Sequence, residues 1–493
     1  MNITTLLEMA ADGFGDRIAI GSREGGITYA DLQARARRTA GLLTARKAPS
    51  LLAVDTNSEA VPIGLFAAAH AGVPYVPVNY RLADDKLQWI LAEASPALAV
   101  VEASVPDRLG GGIPGLDLID RDTLLAGDAD TDCGEPGDPE EIAVLLFTSG
   151  TTGDPKAAVL RHRHLTSYVI STVEFMGADE DEAALVSVPP YHVAAMSAVL
   201  SSVFSGRRLV YLPQFTPEAW VAAARTEQIT HAMVVPTMLG RILDVIEADG
   251  EGIPSLRHLS YGGGRMPHAT VERALTLLPH VGFVNAYGLT ETSSTVAVLT
   301  PDDHREAIAS DDPAVRARLG SVGQPLPVLE LSIRDDDGNE LGTGEKGEIW
   351  VRGEQVSGEY LGRSGAIDGE GWFHTNDGGY LDEHGFLYVE GRLDDVIVRG
   401  GENLSPGQIE DCLREHPAVE DVAVFGLPDD EWGETVATAV VLRESATPDE
   451  LQAWVRERLR STCTPTQVHV VDELPYNETG KLLRRVLKAQ LSS

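Results

Sequence analysis

Cysteine is scarce in this sequence. The 493 residues include three cysteines, Cys133, Cys412 and Cys463, which are far apart and odd in number. Such a set forms no disulfide framework, and no pair has the spacing of metal ligands. We therefore expect reduced thiols and a cytoplasmic protein, since reduced cysteines persist in the cytosol.

Basic residues are also few. The 39 Lys and Arg residues face 75 Asp and Glu residues, which gives a formal net charge of −36. A surface this negative disfavours nucleic acid and anionic membranes as partners. An anionic ligand would need a local cluster of basic residues. The C-terminal region offers one in Lys481, Arg484, Arg485 and Lys488, although one face of a surface helix explains the same spacing.

Signals for secretion and membrane insertion are absent. Residues 1–5 lack the basic start and apolar core of a signal peptide. Residues 183–206 contain no Asp, Glu, Lys or Arg, but Pro189, Pro190 and His192 interrupt them. We predict no integral membrane segment and interpret this stretch as a buried strand, a turn and a buried helix.

The pattern of strands and helices predicts an α/β protein with more than one domain. The chain is too long for one compact core. Strands alternate with helices from residue 27 to 101 and from 142 to about 285, which predicts parallel α/β sheets. Residues 320–390 favour a β subdomain, and the last hundred residues a small α+β domain. We divide the chain into residues 1–391 and 392–493.

Two short patterns imitate ligand-binding motifs. Residues 110–115 fit G-x-G-x-x-G, but they open no predicted helix and include Pro114, so we interpret them as a loop. Residues 335–338 resemble a calcium loop in which the alternation of ligands fails. Asp-Gly between two predicted strands indicates a hairpin-like turn instead.

The strongest functional signal is Thr-Ser-Gly-Thr-Thr-Gly-Asp-Pro-Lys at residues 148–156, after a predicted buried strand at 142–147. Glycines let the backbone bend, and amides, hydroxyls and a lysine can form a concave nest for phosphate oxygens. The spacing differs from the common loop G-x-x-x-x-G-K-[ST], and a polar surface loop is the alternative. The predicted phosphate contacts are Thr148, Ser149, Gly150, Thr151, Thr152, Gly153 and Lys156.

This run resembles the phosphate loop T-S-G-T-T-G-x-P-K of the adenylate-forming superfamily. That family includes acyl- and aryl-CoA synthetases, peptide-synthetase adenylation domains and luciferases, and the resemblance covers nearly the whole chain. It implies an enzyme that uses ATP and Mg²⁺ to convert a carboxylic acid into an acyl-adenylate. The family usually has glycine after the lysine, whereas this chain has Ala157 and Ala158, as some aryl-CoA ligases do.

A second motif, Asn-Ala-Tyr-Gly-Leu-Thr-Glu at residues 285–291, follows a predicted strand and resembles the family's Y-G-x-T-E. The resemblance implies that Tyr287 stacks on adenine and that Thr290 donates to the α-phosphate. Glu291 offers a hard oxygen ligand that suits Mg²⁺. The Asn285 side-chain oxygen can accept from the adenine amino group. The nucleotide-binding residues assigned to this motif are Asn285, Ala286, Tyr287 and Gly288.

A Gly-rich turn at residues 261–267 lies between a predicted strand and a predicted helix. The resemblance places Gly262 and Gly263 against adenine and Gly264 against the acyl group. Arg265 replaces the small residue that is more usual there, which leaves the pocket shape open. The alternative is a plain turn before a helix that starts at Pro267.

Residues 372–377 resemble the family motif W-x-x-T-x-D. The resemblance implies that Asp377 accepts from both ribose hydroxyls, as acidic residues do in other nucleotide sites. Arg392 matches an arginine that reaches the ribose or a phosphate. Asp394 then falls at the family's hinge position, although a solvated acid in a linker is the alternative.

Two C-terminal segments resemble motifs that serve different half-reactions. Residues 477–481 match the motif whose lysine enters the site, so Lys481 would offset the repulsion between the substrate carboxylate and the α-phosphate. Residues 400–404, with Gly400 and Gly401, resemble the loop that lines the pantetheine tunnel. Both cannot occupy one site together, so we expect a mobile C-terminal domain that turns at Asp394.

Tyr191 and His192 lie where the family guards the acyl pocket. Relatives that activate amino acids need an aspartate near this place, and residues 183–206 contain no acid, which favours a neutral acyl or aryl tail. Further candidates for the wall are Ala195, Met196 and Met238, for which core packing is an equal alternative. The predicted acyl pocket comprises Tyr191, His192, Met196, Met238 and Gly264, and the predicted catalytic set Lys481, Thr290, Glu291 and His192.

These features together predict an ATP-dependent carboxylic acid–CoA ligase that releases pyrophosphate and AMP. The substrates would be a small carboxylic acid and CoA, with an amine or a carrier-protein thiol left open as the acceptor. A non-catalytic ATP-binding protein is the rival from another class. The set Lys156, Glu291, Asp377 and Lys481 argues against it.

Overall fold

The structure, a computed structural model, describes residues 1–128, 137–148, 156–363, 365–400, 402–429, 432–476 and 482–491. The elements up to residue 161 are α1 (Ile3–Phe14), β1 (Ile18–Ile20), β2 (Ile27–Thr28), α2 (Tyr29–Arg46), β3 (Leu51–Val54), α3 (Ala60–His70), β4 (Tyr75–Pro77), α4 (Asp84–Glu93), β5 (Ala97–Val101), α5 (Val105–Arg108), β6 (Leu116–Ile119), α6 (Arg121–Ala126), β7 (Ile142–Thr148) and β8 (Lys156–Arg161).

Six of these strands form a sheet in the order β6-β5-β3-β4-β7-β8. The pairs are parallel except for β7 and β8, which are antiparallel with Thr148 opposite Lys156. The buried strand predicted at 142–147 is confirmed as β7. The two ends of the predicted phosphate loop therefore lie side by side, while its residues 149–155 are outside the described ranges.

The chain continues into a second, larger sheet. Its elements are α7 (His162–Thr172), β9 (Ala183–Val186), α8 (Val193–Ser205), β10 (Arg208–Tyr211), α9 (Pro217–Thr226), β11 (His231–Val234), α10 (Pro236–Asp249), β12 (His258–Gly262), α11 (His268–Leu277), β13 (Gly282–Leu289), β14 (Ser294–Leu299), α12 (Pro301–Ala309), α13 (Pro313–Ala317) and β15 (Gln324–Pro325). The strand order is β15-β14-β13-β12-β11-β9-β10-β1-β2, in which the run from β13 to β1 is parallel.

One hydrophobic core joins the two sheets. It takes Leu51 from the six-stranded sheet and Leu209 from the nine-stranded sheet. Helix α3 belongs to this core, and all of its residues are buried, as expected for a helix that is apolar on every side. The uncharged stretch at 183–206 is β9, a turn and α8, as predicted.

The remaining described residues form two further sheets. Their elements are β16 (Glu330–Arg334), β17 (Gly347–Arg352), β18 (Phe373–Leu381), β19 (Leu387–Arg392), β20 (Ile397–Arg399), β21 (Glu402–Leu404), α14 (Pro406–Arg414), β22 (Val419–Asp429), β23 (Gly433–Leu442), α15 (Pro448–Arg458), β24 (Gln467–Val470) and α16 (Arg484–Leu491). Strands β16 to β19 form an antiparallel sheet, the predicted β subdomain, and β20 to β24 a five-stranded sheet.

The predicted α/β class is confirmed, with local differences. Residues 285–289 lie on β13, whereas the sequence placed them after a strand. Residues 402–404 form β21 rather than loop, and Pro267 is the N-cap of α11 rather than its first residue. The division after residue 391 stays a prediction. None of the helices in the described ranges has the length and apolarity to cross a membrane.

Candidate active site

The motif residues gather along one edge of the nine-stranded sheet. Strands β9, β11, β12 and β13 are parallel neighbours, so their carboxyl ends share this edge. His192 follows β9, Met238 follows β11, Gly262 ends β12 and Tyr287 lies near the end of β13. Ligands of open α/β sheets bind outside the carboxyl ends of the strands. The acyl candidates therefore lie toward β9 and β11, and the nucleotide candidates toward β12 and β13.

Glycine is required at several positions on this edge. A Cβ on Gly262 would lie 2.3 Å from the Ala286 carbonyl oxygen, and one on Gly288 would lie 1.7 Å from the Ser294 carbonyl oxygen. Gly263 has a φ of 78°, which favours glycine. The strands thus approach closely, and bare backbone lines the place where the resemblance puts adenine.

Tyr287, Asp377 and Arg392 form one hydrogen-bonded network, although they come from three separate motifs. The Tyr287 hydroxyl donates to Asp377 Oδ2 at 2.7 Å, and Arg392 Nη1 donates to Asp377 Oδ1 at 3.3 Å. Arg392 also donates to the Thr375 carbonyl oxygen at 2.9 Å. Asp377 is 7% exposed. Donors of this kind stabilise a buried carboxylate and fix its direction.

The protonation state of Tyr287 suits its role as a donor. Burial, and after it the charge of Asp377, raises the pKa of the Tyr287 hydroxyl well above its ordinary value. The hydroxyl therefore keeps its proton at neutral pH. Beside it, Asn285 Nδ2 donates to the Ser321 carbonyl oxygen at 3.1 Å, which orients the amide with Oδ1 as an acceptor.

On the phosphate side, the predicted lysine and the predicted metal ligand meet at Tyr360. The Tyr360 hydroxyl donates to Glu291 Oε1 at 2.6 Å, and Lys156 Nζ lies 5.6 Å from the centre of the Tyr360 ring. Burial, followed by the charge of Glu291, raises the pKa of Tyr360. Thr148 Oγ1 donates to the Lys156 carbonyl oxygen at 3.3 Å, so Thr148 and Lys156 belong to the same corner.

A strained turn holds Glu291. Residues Thr290–Thr292 form a 3₁₀ turn, and Ser293 and Ser294 follow with φ values of 58° and 124°. Such angles are unfavourable for non-glycine residues and persist only where the surroundings impose them. The buried Gln355 imposes them here, because its Nε2 donates to the carbonyl oxygens of Thr292 and Thr295 at 3.0 and 2.8 Å.

The surroundings of Glu291 fit Mg²⁺ in company with a nucleotide. Among the described residues, no three His, Cys, Asp or Glu groups could hold a metal ion by themselves. Mg²⁺ commonly takes one or two carboxylates, with phosphates and water as the other ligands. Tyr360 occupies Glu291 Oε1, and no described residue donates to Oε2. Within the described ranges, Oε2 thus accepts no hydrogen bond, and the metal role of Glu291 stays a prediction that this geometry supports.

Tyr191 and His192 form an aromatic corner at the end of β9. The Tyr191 ring packs edge-on against Tyr80, with ring centres 6.0 Å apart, and lies 5.2 Å from the His192 ring. Burial lowers the pKa of His192 to about 4, because a buried imidazole resists a charge. At neutral pH the His192 side chain is therefore uncharged.

The other acyl-pocket candidates fall into two groups. Ala195 and Met196 on α8 have no exposed surface and belong to the main core, which supports the packing alternative for both. Met238 lies near the start of α10, and Gly264 lies against Pro236 at the start of the same helix. Met238 is 7% exposed and belongs to a second core cluster, so core packing also explains this residue.

Arg265 points toward the C-terminal region. Its guanidinium pairs with Asp411 on α14, and the two side chains are 42% and 40% exposed. A Cβ on Gly407, also on α14, would lie 2.3 Å from Arg265 Nη1. Arg265 therefore contacts α14.

The C-terminal predictions have mixed outcomes. Lys481 and Gly401 lie outside the described residues, as do Ser149, Gly150, Thr151, Thr152 and Gly153. Gly400 has a φ of 60°, and its N–H donates to the Trp432 carbonyl oxygen at 2.8 Å. The sequence placed Arg484 in a basic cluster for an anionic ligand or on the face of a surface helix, whereas the structure pairs it with two carboxylates. It donates to the buried Glu410 at 2.6 Å and to Asp395 at 3.2 Å.

Asp394 lies between two regions that hold it and its neighbour differently. Asn376 Nδ2, on β18, donates to Asp394 Oδ2 at 2.7 Å. The next residue, Asp395, accepts from Arg484 of the C-terminal region. Adjacent residues are therefore fixed to different parts of the structure, which supports a hinge at this point.

Tyr360 and Asn376 are site residues that sequence reasoning missed. Tyr360 lies between Glu359 and Leu361 in a glycine-containing stretch without periodicity, which is typical of a surface loop. Its partner Glu291 is 69 positions away. Asn376 lies inside a motif that was interpreted for Asp377 alone. In the structure its φ of 58° marks a special position, because few residues other than glycine adopt such an angle.

Comparisons with known proteins point to one enzyme family. The family model "AMP-binding enzyme" matches residues 7–361, and "AMP-binding enzyme C-terminal domain" matches residues 408–481. The chain is 33% identical over 477 residues to a feruloyl-CoA synthase of Amycolatopsis, with 94% of each chain covered.

Solved structures of two enzymes are similar over almost the whole chain. The o-succinylbenzoate CoA synthetase of Bacillus subtilis, solved with its acyl-adenylate intermediate, has a TM-score of 0.86 and 29% identity, covering 98% of this chain and 97% of that one. The same enzyme has been solved with ATP and a magnesium ion. The amide bond synthetase of Marinactinospora thermotolerans has a TM-score of 0.86 and 28% identity, covering 99% and 100%. The resemblance is confirmed, and the chain belongs to the AMP-binding enzyme family.

Proposed function

We propose that this chain is an ATP-dependent carboxylic acid–CoA ligase whose acid carries a neutral aromatic tail. The observation that carries the proposal is the meeting of Tyr287, Asp377 and Arg392 beside the turn that bears Glu291. The relatives named above support ATP, Mg²⁺ and CoA as reactants, and the feruloyl-CoA synthase supports an aromatic acid. The neutral His192 ring beside Tyr191 fits such a tail.

The first half-reaction forms the acyl-adenylate. A carboxylate oxygen of the acid attacks the α-phosphorus of ATP, the bond to the β-phosphate oxygen breaks, and pyrophosphate leaves. Asp377 and Arg392 hold the nucleoside, which fixes the α-phosphate for attack. Thr290 and Lys156, with Lys481 as the resemblance implies, stabilise the charge that two approaching anions create. Mg²⁺ near Glu291 would neutralise the pyrophosphate.

The second half-reaction forms the thioester. The CoA sulfur attacks the acyl carbonyl carbon, the bond to the AMP oxygen breaks, and AMP leaves while the thiol proton passes to solvent. His192 borders the proposed acyl site, but a pKa of about 4 makes it a poor general base near neutrality. We therefore assign it as an uncharged gate between the acyl group and the thiol.

An amine is the alternative acceptor. The similarity to the amide bond synthetase favours it, because the adenylation half-reaction is common to both outcomes. A carrier-protein thiol would differ from CoA only in the group beyond the pantetheine arm. The Gly400 segment, which resembles a pantetheine-tunnel loop, would serve CoA and a carrier-protein thiol, because both bring a pantetheine arm and an amine does not.

A two-stage assay tests the proposal. Pyrophosphate release is first measured with ATP, Mg²⁺ and a panel of short, branched, cyclic and aromatic acids. The best acid is then supplied with CoA, with an amine or with a carrier protein, and the product is identified by mass. We expect release with aromatic acids and a CoA thioester. Preferred turnover with the amine would refute CoA as the acceptor. No pyrophosphate release with any acid would refute the assignment as an acid-activating enzyme.

We also propose a cytoplasmic location. ATP and CoA are available there, and Cys412 and Cys463 are free and buried, as expected where thiols stay reduced. Localisation of a tagged full-length chain in its own host tests this.

A further inference from the structure

A short segment, residues 357–361, connects the two phosphate-side motifs. The N–H groups of Ser357 and Gly358 donate to the Glu291 carbonyl oxygen at 2.8 and 3.2 Å. The segment also pairs with β8. The Val159 N–H donates to the Glu359 carbonyl oxygen at 2.9 Å, and the Leu361 N–H donates to the Ala157 carbonyl oxygen at 2.9 Å. One segment thus binds both the turn that carries Glu291 and β8, which begins at Lys156.

Tyr360 is the centre of this segment, and its side chain repeats the connection. Its hydroxyl donates to Glu291 Oε1 at 2.6 Å, and its ring faces Lys156 Nζ at 5.6 Å from the ring centre. The side chain is half-buried. A hydrogen bond to a charged group is stronger than one between neutral groups and restricts the rotation of the carboxylate.

The backbone bonds of the segment do not depend on a tyrosine, because any residue other than proline supplies the same N–H and carbonyl groups. The hydroxyl is therefore unnecessary for holding the segment in place. Among the described residues, the hydroxyl donates to a single group, the Glu291 carboxylate. This points to a purpose at Glu291 itself.

We propose that Tyr360 is a positioning residue that sets how Glu291 binds the divalent cation. Each carboxylate oxygen has two acceptor sites, and the hydroxyl takes one of them on Oε1. This disfavours a bidentate contact and leaves Oε2 as the better-placed oxygen for the metal. One-oxygen contact suits Mg²⁺, which requires near-ideal octahedral geometry, whereas Ca²⁺ also accepts bidentate carboxylates in flexible sites. Tyr360 therefore favours Mg²⁺ over Ca²⁺ as the partner of ATP. The inference rests on the proposed function, because that function assigns Glu291 to the metal.

The test measures ATP binding by calorimetry while Mg²⁺ or Ca²⁺ is varied, so it needs no turnover. Tyr360→Phe keeps the ring beside Lys156 and removes the hydroxyl alone. We expect about a tenfold rise in the Mg²⁺ concentration at which ATP binding is half-saturated. This factor corresponds to the free energy that one hydrogen bond to a charged group contributes. Binding of ATP without metal should stay within about twofold, and the preference for Mg²⁺ over Ca²⁺ should shrink.

Two further variants make the result specific. Glu291→Gln should abolish the effect of Tyr360→Phe in the double variant, because the hydroxyl acts through Glu291. Tyr168→Phe removes another half-buried hydroxyl, whose oxygen lies 3.5 Å from Thr295 Oγ1, and should leave the metal dependence unchanged. Equal metal dependence in Tyr360→Phe and the wild type would refute the proposal, as would equal losses with and without metal.

A failure of the proposed function gives a different result. If the wild type binds ATP but releases no pyrophosphate with any acid, the ligase assignment falls. The metal titration still decides the role of Tyr360 in that case. Thermal unfolding of each variant identifies a misfolded protein, and then Glu291→Gln alone reports on the same bond from its other side. Unchanged metal dependence in that variant would also refute the proposal.

Discussion

Replacing Asp377 by asparagine should weaken ATP binding by about 10- to 100-fold. Hydrogen bonds to charged groups contribute roughly 1.5 to 3 kcal/mol each, and about 1.4 kcal/mol corresponds to a factor of ten. Asp377 is 7% exposed, so water screens it little. The asparagine keeps one acceptor oxygen but loses the charge, and it leaves Arg392 without its anionic partner.

The assay is the dependence of pyrophosphate release on ATP at a saturating acid concentration, and then on the acid at saturating ATP. We expect the apparent KM for ATP to rise and that for the acid to stay within twofold, because Asp377 bonds Tyr287 and both are proposed to bind the nucleotide. A KM for ATP within about twofold of the wild type would refute the assignment, as would equal rises for both substrates.

Asp55→Asn is the matched control. Asp55 is 5% exposed and accepts two bonds from Arg121 at 2.6 and 2.7 Å, so it is also a buried aspartate paired with an arginine. It directly follows β3, a strand of the six-stranded sheet. We expect this variant to unfold at a lower temperature but to bind ATP as the wild type does. A weakened affinity for ATP would show that loss of stability alone explains the Asp377 result.

Three more predictions follow from the proposed roles. His192→Ala should change the preference among acids more than the KM for ATP. Because the pKa of His192 is about 4, the wild-type preference among acids should not change between about pH 5.5 and 8. A preference that switches near pH 6.5 would contradict this. Lys481→Ala should slow acyl-adenylate formation about a hundredfold or more yet still convert supplied acyl-adenylate to thioester, and equal loss of both steps would contradict its assignment. Asp394→Pro should trap one orientation, since proline fixes φ, so single-turnover pyrophosphate release should persist while thioester formation slows; both steps near normal would exclude the hinge.

The sequence was most informative where local pattern and burial coincide. The apolar run at 142–147 and the uncharged stretch at 183–206 became β7, β9 and α8 because buried elements leave a continuous apolar signal. Strand ends were less predictable. Residues 285–289 extend β13 because they pair with β14, and such pairing depends on a partner strand that one segment does not reveal.

Pairs that join distant residues were not predictable from sequence. The motifs around Tyr287, Asp377 and Arg392 were recognised separately, but their shared network arises only when β13, β18 and β19 are placed together. Tyr360 gave no signal at all because its purpose lies in a carboxylate 69 positions away. Arg484 was misinterpreted for the same reason, since burial against Glu410 depends on α14.

The contact between Arg265 and Asp411 has a consequence for the timing of turnover. Both side chains are about 40% exposed, and such an ion pair contributes roughly 0.2 to 1 kcal/mol, which changes a two-state ratio by about 1.4- to 5-fold. The pair therefore biases the position of α14 without locking it. Dissolved salt screens exposed charges, and the screening length is about 8 Å at physiological ionic strength. Higher salt therefore weakens this pair. If the C-terminal region turns as proposed, the surrounding electrolyte adjusts how long each turnover spends in this arrangement.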